Sequence, residues 1–167
     1  SFNDILDEEK SSARLRTALD TDGKWLKMVL NDAEGRLQQI RSSGHSDAGG
    51  LIIAIDQSHA RRIAALINDI SGEKSVVVVS DDPNASKKIR TFAESSKKWL
   101  VSVKMVSEGV DIPRLRVGVY ATNVKSELFF RQAVGRFVRI QNGMKKQESY
   151  LFIPKDIILM DYARQIE

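Results

Sequence analysis

Short, almost continuously apolar runs recur through the last two-thirds of the chain. Four of them are rich in β-branched residues and a weaker fifth follows: LIIAI (51–55), VVVVS (76–80), WLVSV (99–103), RVGVY (116–120) and SYLFI (149–153). Runs of this length and composition are typical of strands that are buried on both faces of a parallel sheet. The hydrophobic pattern therefore predicts five strands.

Apolar positions recur at helical spacing between these runs, and the helices they predict cover residues 57–70, 85–97 and 126–140. We expect Asp82-Pro83 to start the second of these helices. Ser126 is a suitable cap for the third, with Glu127 in its first turn. Strand alternating with helix is the signature of a doubly wound layer fold. The predicted fold class is α/β, a parallel sheet flanked by helices.

The first 50 residues have a different pattern. From residue 8 to residue 41, Leu, Ile and Val recur at roughly helical spacing among charged residues. Thr21-Asp22-Gly23 interrupts this pattern, so we expect two helices. SSGHSDAGG, residues 42–50, has the composition of a flexible linker. We therefore expect a helical connector and linker over residues 1–50, followed by an α/β domain over residues 51–167.

Composition narrows the class of protein only slightly. The chain has 167 residues, 42% of them hydrophobic and 29% charged, with a formal net charge of +4 that mildly favours polyanionic partners. Cysteine is absent, which excludes disulfides and thiolate metal sites and fits a reducing interior, so we expect a cytoplasmic protein. No apolar run approaches 18 residues. Because the chain begins Ser-Phe-Asn without Met, we expect it to be a piece of a longer protein.

Basic residues and an amide interrupt an apolar pattern in RQAVGRFVRI, residues 131–140. On a helix with about 100° per residue, Gln132, Arg136 and Arg139 fall within roughly 60° of one another. Gly135 costs a helix about 1 kcal/mol relative to Ala, which makes sense if a ligand or backbone must approach closely. This face could hold a negatively charged group. The alternative is an amphipathic surface helix whose arginines are solvated.

A second candidate stretch, VSEGVDIP at residues 106–113, directly follows the third predicted strand. Gly109 allows unusual backbone dihedrals or a close approach. Asp111 offers a carboxylate at the edge of the sheet where ligands of parallel sheets gather, and it could accept hydrogen bonds from ribose hydroxyls or orient an arginine. The alternative is a turn with a charged tip.

SEGVDIP, followed some twenty residues later by QAVGRFVR, resembles motifs V and VI of the superfamily two helicases. LIIAIDQSHARRIAALI resembles motif IV of the same lobe, and the resemblance covers residues 51 to about 153. The ending GRFVR in place of GRxGR, and Gln132 in place of histidine, look like the DEAD/DEAH-like branch allied to type III restriction and excision-repair helicases. The resemblance implies a RecA-like fold and the C-terminal lobe of an ATP-dependent helicase or translocase.

The family's nucleotide site implies roles for several residues of this chain. Arg136 and Arg139 would reach across the cleft between two lobes to the γ-phosphate, as arginine fingers that stabilise the charge of phosphoryl transfer. The nucleotide-binding residues implied beside them are Gln132, Glu108, Gly109 and Asp111. The cofactor implied is ATP with Mg²⁺, held mainly by an N-terminal RecA-like lobe of the same parent chain.

The family also implies a nucleic-acid track along loops that follow the first strands of this lobe, and we expect DNA in preference to RNA. Hydroxyl, amide and backbone N–H groups make such phosphate contacts. The candidates are Ser58, His59, Ser80, Ser102 and Lys104. For His59 the alternative is a residue at a helix start without a ligand.

Two parts of an ATPase site are missing from this sequence, namely a phosphate-cradling loop G-x-x-x-x-G-K-[ST] and the acidic residues that hold Mg²⁺. Gly72-Glu73-Lys74-Ser75 lacks the second glycine and precedes a strand, so we interpret it as a turn. We expect the missing lobe upstream and negligible ATP hydrolysis by this chain alone. The alternative function is a non-catalytic RecA-like module that binds nucleic acid or a protein.

Overall fold

The computed structural model describes residues 2–103, 112–136 and 149–166. Its strands are β1 (Gly49–Ala54), β2 (Val76–Val78), β3 (Trp99–Val103), β4 (Leu115–Ala121) and β5 (Tyr150–Phe152). Its helices are α1 (Phe2–Ala18), α2 (Lys24–Ser42), α3 (Gln57–Ser71), α4 (Ala85–Ala93), α5 (Glu127–Val134) and α6 (Ile157–Ile166). The predicted α/β class and all five predicted strands are confirmed.

The strands form one sheet in the order β2-β3-β1-β4-β5, and every neighbouring pair is parallel. In the central strand, Leu51 lies opposite Leu100 on one side and Gly118 on the other. Because all strands run the same way, the loops that follow them meet at one edge, which we call the carboxyl edge. In folds of this kind that edge carries the ligands.

Helices cover both faces of the sheet. Successive strand residues point to opposite faces, so Ile52 packs in the cluster that contains Leu30 of α2 and Ile63 of α3. Its neighbour Ile53 packs in the other cluster, with residues of α4, α5 and α6 such as Phe130. Burial on both faces explains why the strands have no alternating polar positions.

The N-terminal helices α1 and α2 belong to the first of these two clusters. A buried polar contact reinforces the packing, because the Glu34 carboxylate of α2 accepts from Trp99 Nε1 at 2.8 Å and from Lys98 Nζ at 2.7 Å. A carboxylate with little exposure needs such partners to offset its lost hydration. The predicted division at residue 50 stays a prediction, but the helices before it share a core with the sheet.

The predicted linker over residues 42–50 is wrong at its end, because Gly49 and Gly50 are buried residues of β1. A side chain at Gly50 would place its Cβ 2.2 Å from Trp99 Cζ3, so the ring of Trp99 fills the space that a side chain would need. Glycine at position 50 reflects close packing against an aromatic ring, whereas the composition of residues 42–50 suggested a flexible linker.

Helix boundaries agree with prediction at some points and differ at others. Ser126 does cap α5, with its Oγ accepting from the Phe129 amide at 3.3 Å. Helix α5 ends at Val134, before the predicted end at 140, with Gly135 as its C-cap. Helix α4 likewise ends early, at Ala93. The sequence reasoning did not predict α6.

Candidate nucleotide and nucleic-acid interfaces

Two of the predicted nucleic-acid contacts lie exposed at the carboxyl edge. Ser58 is in the first turn of α3, which Asp56 caps by accepting from the His59 amide at 2.8 Å. Ser80 is in the turn that follows β2. A cleft of about 440 Å³ lies between α3, β2 and the start of α4, and its lining consists of Gln57, Arg61, Val77, Val79, Asp81, Asp82 and Lys88.

The charges that line this cleft balance one another. Arg61 and Lys88 face Asp81 and Asp82, and the Lys88 ammonium is paired with the Asp82 carboxylate. The hydrogen bond from Lys88 is the main cause that holds the pKa of Asp82 below its usual value. A phosphate bound at Lys88 would have to compete with the Asp82 carboxylate. Arg61, the other cation in the lining, is not paired with Asp82 and is therefore the better candidate for a phosphate contact in this cleft.

His59 does not have the exposed position expected of a nucleic-acid contact. Its side chain is 4% exposed, Nδ1 accepts from the Ile55 amide at 3.1 Å, and Nε2 therefore donates to the Leu19 carbonyl at 2.7 Å. Burial lowers the pKa of His59, which favours this neutral form. Both ring nitrogens are used within the protein, so His59 connects α3 to the end of α1.

Ser102 is also buried, with 2% exposure, within β3. Among the described residues its Oγ finds no hydrogen-bond partner, and the same holds for Thr122 just beyond β4. A hydroxyl at this depth does not reach a backbone phosphate from the surface, so the expected contact at Ser102 is corrected by its burial. Lys104 lies outside the described residues.

The candidate arginine-finger stretch lies at the C-terminal end of α5. Gln132 is exposed within the helix. Arg136 is half-buried in the turn that follows, its amide donating to the Ala133 carbonyl at 3.1 Å, and burial lowers the pKa of its guanidinium. The helix ends at Val134, so the shared helical face predicted for Gln132 and Arg136 is not formed by a continuous helix.

The other predicted nucleotide-site residues lie outside the described residues: Glu108, Gly109, Asp111 and Arg139. A Cβ added at Gly135 would have the Arg131 carbonyl oxygen of its own helix as its nearest neighbour among the described residues, at 3.3 Å. The close approach that the glycine suggested is therefore not made by any other described part of the chain.

Sequence reasoning missed the polar contacts around α6. Asp156 caps this helix, its Oδ1 accepting from the amides of Ile158 at 3.0 Å and Leu159 at 3.2 Å. Its other oxygen, Oδ2, contacts Lys125 Nζ at 2.8 Å. Asp156 directly before the apolar run IILM is a helix-start signal that could have predicted α6. Its contact with Lys125 has no signal in the sequence.

In the parts of the chain that the structure describes, no three His, Asp or Glu side chains lie close enough together to hold a metal ion. Within the same ranges, none of the helices has the length and apolar character needed to cross a membrane.

No family model matches the chain. It is 46% identical over 162 residues to the uncharacterized protein Rv2917 of Mycobacterium tuberculosis, a match that covers 97% of this chain and 26% of that protein. The uncharacterized protein ML1624 of Mycobacterium leprae is 44% identical, with 97% and 27% covered. The chain thus spans about a quarter of the length of these relatives.

Several solved structures are similar to this chain in fold. A fragment assigned as the HsdR subunit of a type I restriction enzyme from Vibrio vulnificus matches with a TM-score of 0.62 and 23% identity, over 83% of this chain and 29% of that one. T4 UvsW matches with a TM-score of 0.59 and 19% identity, over 93% and 33%. Domain 2 of the DEAD-box helicase Mss116p matches with a TM-score of 0.60 and 14% identity, over 85% and 55%. The chain therefore has the same RecA-like α/β fold as these structures, which is the predicted fold.

Proposed function

We propose that this chain is the C-terminal motor lobe of an ATP-dependent nucleic-acid helicase or translocase. The observation that carries the proposal is Arg136, a half-buried arginine at the end of α5 in a lobe with this fold. The motor activity belongs to a whole protein in which a second lobe binds ATP and Mg²⁺. The length of the mycobacterial relatives is consistent with such a protein.

Arginine has the chemistry that this role requires. Its guanidinium is planar, stays charged and presents several donors that match phosphate oxygens. Water screens a partly desolvated guanidinium less than a fully exposed one. Such a guanidinium therefore stabilises more strongly the negative charge that develops on a transferring phosphoryl group. Bound ATP supplies the phosphoanhydride bond that is hydrolysed. Within this proposal Arg136 and Arg139 contact its γ-phosphate, and Gln132 orients the nucleotide or the attacking water.

The nucleic-acid track in this proposal follows the carboxyl edge. Ser58 and Ser80 are exposed there, and Arg61 lines the adjoining cleft. Hydroxyl and guanidinium groups are common phosphate donors, and contacts of this kind position the nucleic acid without selecting its sequence. We propose that the nucleic acid is DNA. Assays with DNA and with RNA decide which of the two the protein binds.

We predict that Arg136→Ala in the full-length protein lowers nucleic-acid-stimulated ATP hydrolysis by about 10³-fold, because loss of an arginine finger typically costs 10³ to 10⁵ in rate. Phosphate release is measured with DNA and RNA in turn. The matched control is Arg131→Ala, which removes an exposed arginine of α5 whose guanidinium is paired with Glu127.

Arg131→Ala should stay within about threefold of the wild type, since exposed ion pairs contribute little. Hydrolysis that survives Arg136→Ala would show the arginine-finger assignment to be wrong. A full-length protein that binds nucleic acid but has no ATPase activity would instead fit the non-catalytic binding module.

A further inference from the structure

The loop that leads from β4 into α5 is held by a group of polar side chains, of which Ser11 and Asp156 are buried. Lys125 Nζ lies 2.8 Å from Asp156 Oδ2 and donates to Ser12 Oγ at 3.0 Å. Asp156 Oδ2 also accepts from Ser11 Oγ at 3.1 Å. We call Ser11, Ser12, Lys125 and Asp156 the Lys125 cluster. It joins α1, the loop before α5, and the start of α6, and the two serines lie more than 100 residues away in sequence from the side chains that they contact.

Two tyrosines hold the backbone of the same loop. The Tyr120 hydroxyl donates to the Val124 carbonyl, and the Tyr162 hydroxyl of α6 donates to the Lys125 carbonyl at 2.8 Å. Phe130 of α5 packs against both rings, with centroids 5.3 Å from Tyr120 and 5.7 Å from Tyr162. The base of α5 is therefore attached to α6 through apolar, backbone and charged contacts at once.

The ion pair of the cluster is its most consequential contact. The Asp156 side chain has no exposed surface, whereas the Lys125 side chain is 24% exposed. Removing one partner of such a pair leaves a charge that the surroundings must rearrange to accommodate. Here the group that would rearrange is the loop from which α5 begins.

We propose that Lys125 and Asp156 are positioning residues for Arg136, setting the direction of α5 against α1 and α6. The proposal rests on the proposed function of Arg136. Helix α5 has eight residues and is about 12 Å long, and Arg136 follows its last residue by two positions. A tilt of about 4° at the base would displace the far end by about 1 Å, and a misplacement of that size in an active site can cost about 10²-fold in rate.

The test uses Asp156→Asn in the full-length protein, measured by nucleic-acid-stimulated ATP hydrolysis. Asparagine is as good a helix cap as aspartate, so the contacts to α6 are kept while the negative charge facing Lys125 is lost. We expect kcat to fall about ten- to a hundredfold, with the KM for ATP within about twofold. Lys125→Met should give the same result, and it serves as the readout if Asp156→Asn does not fold.

Glu127→Gln is the matched control, because it removes the charge of an exposed ion pair on α5 itself. Its kcat should stay within about twofold of the wild type. Hydrogen exchange of the α5 amides gives a readout that does not depend on ATPase activity. It should increase in Asp156→Asn relative to Glu127→Gln, and unchanged exchange would overturn the proposal.

A double-mutant cycle with Arg136→Ala separates positioning from a general loss of stability. If the cluster acts through Arg136, Asp156→Asn lowers kcat in the wild type and has no further effect in the Arg136→Ala background. An equal loss in both backgrounds, or no loss in the wild type, overturns the positioning role while leaving the arginine finger intact. If Arg136→Ala itself has no effect, the proposed function fails and the positioning role fails with it.

Discussion

Trp99 shows how one side chain can determine which residue its neighbour in the sheet must be. Its ring is 1% exposed and its indole N–H is held by Glu34, so it has little freedom to move. The three atoms nearest to a Cβ added at Gly50 all belong to this ring, at 2.2 to 2.8 Å. Real Cβ atoms do not approach other heavy atoms so closely, and either the ring or β1 would have to shift.

We predict that Gly50→Ala destabilises the chain by about 3 kcal/mol, because overpacking a well-filled core typically costs 1 to 3 kcal/mol and this ring is tethered. The control is Gly35→Ala, in the exposed middle of α2, where the new Cβ would meet nothing within 4 Å apart from its adjacent residues and the backbone of its own helix. That change should stabilise by about 0.5 to 1 kcal/mol, since Ala is the better helix former. Urea unfolding measures both, and equal effects of the two substitutions would contradict the packing argument.

Helices α1 and α3 are joined by the neutral imidazole of His59. Its Nδ1 is an acceptor and its Nε2 a donor, so a second proton would remove the acceptor that the Ile55 amide needs. Burial is the largest cause that lowers the pKa of His59 below 6.5. Burial in the tertiary structure thus favours the neutral form of a residue that the sequence places at a helix start.

We predict that the free energy of unfolding falls as the pH is lowered below 6.5, the ordinary pKa of His. The unfolded chain then binds a proton that folded His59 resists, so the stability present above that pH is lost progressively until the folded pKa is reached. His59→Gln should cost about 1 to 3 kcal/mol at neutral pH and flatten this part of the pH dependence. A slope that survives His59→Gln would contradict the assignment.

At the scale of the elements, the sequence predicted those features that depend on neighbouring residues, and it did not predict those that depend on contacts between distant parts of the chain. The five strands and the cap at Ser126 follow from short-range patterns, and the structure has them. The exposure of His59 and Ser102 could not be predicted, because α1 and the neighbouring strands bury them. The length of α5 was overestimated because the apolar period continues past Gly135, where the helix ends.

At the scale of the whole molecule, the chain has one side of the proposed ATP site. The sequence contains no phosphate-cradling loop, and Arg136 alone would bring positive charge without the groups that bind the nucleotide and Mg²⁺. The proposed motor therefore needs a second lobe to bring ATP to these arginines.

We predict that the isolated 167 residues hydrolyse ATP at a rate indistinguishable from the buffer background, with or without nucleic acid. Phosphate release by the full-length protein at the same concentration provides the positive control. Robust turnover by the isolated chain would contradict the proposal that the site is shared between two lobes.

The sequence by itself determined the class of fold, because strand and helix periods are local and β-branched apolar runs are stable only when both faces of the sheet are covered. It also indicated a basic stretch over residues 131–140 that a family resemblance could interpret. Only the tertiary structure decided which polar side chains are free for a ligand. Glu34 meets Trp99, His59 meets Leu19 and Ser11 meets Asp156 across as many as 145 residues, since packing brings them together and buried polar groups must find partners.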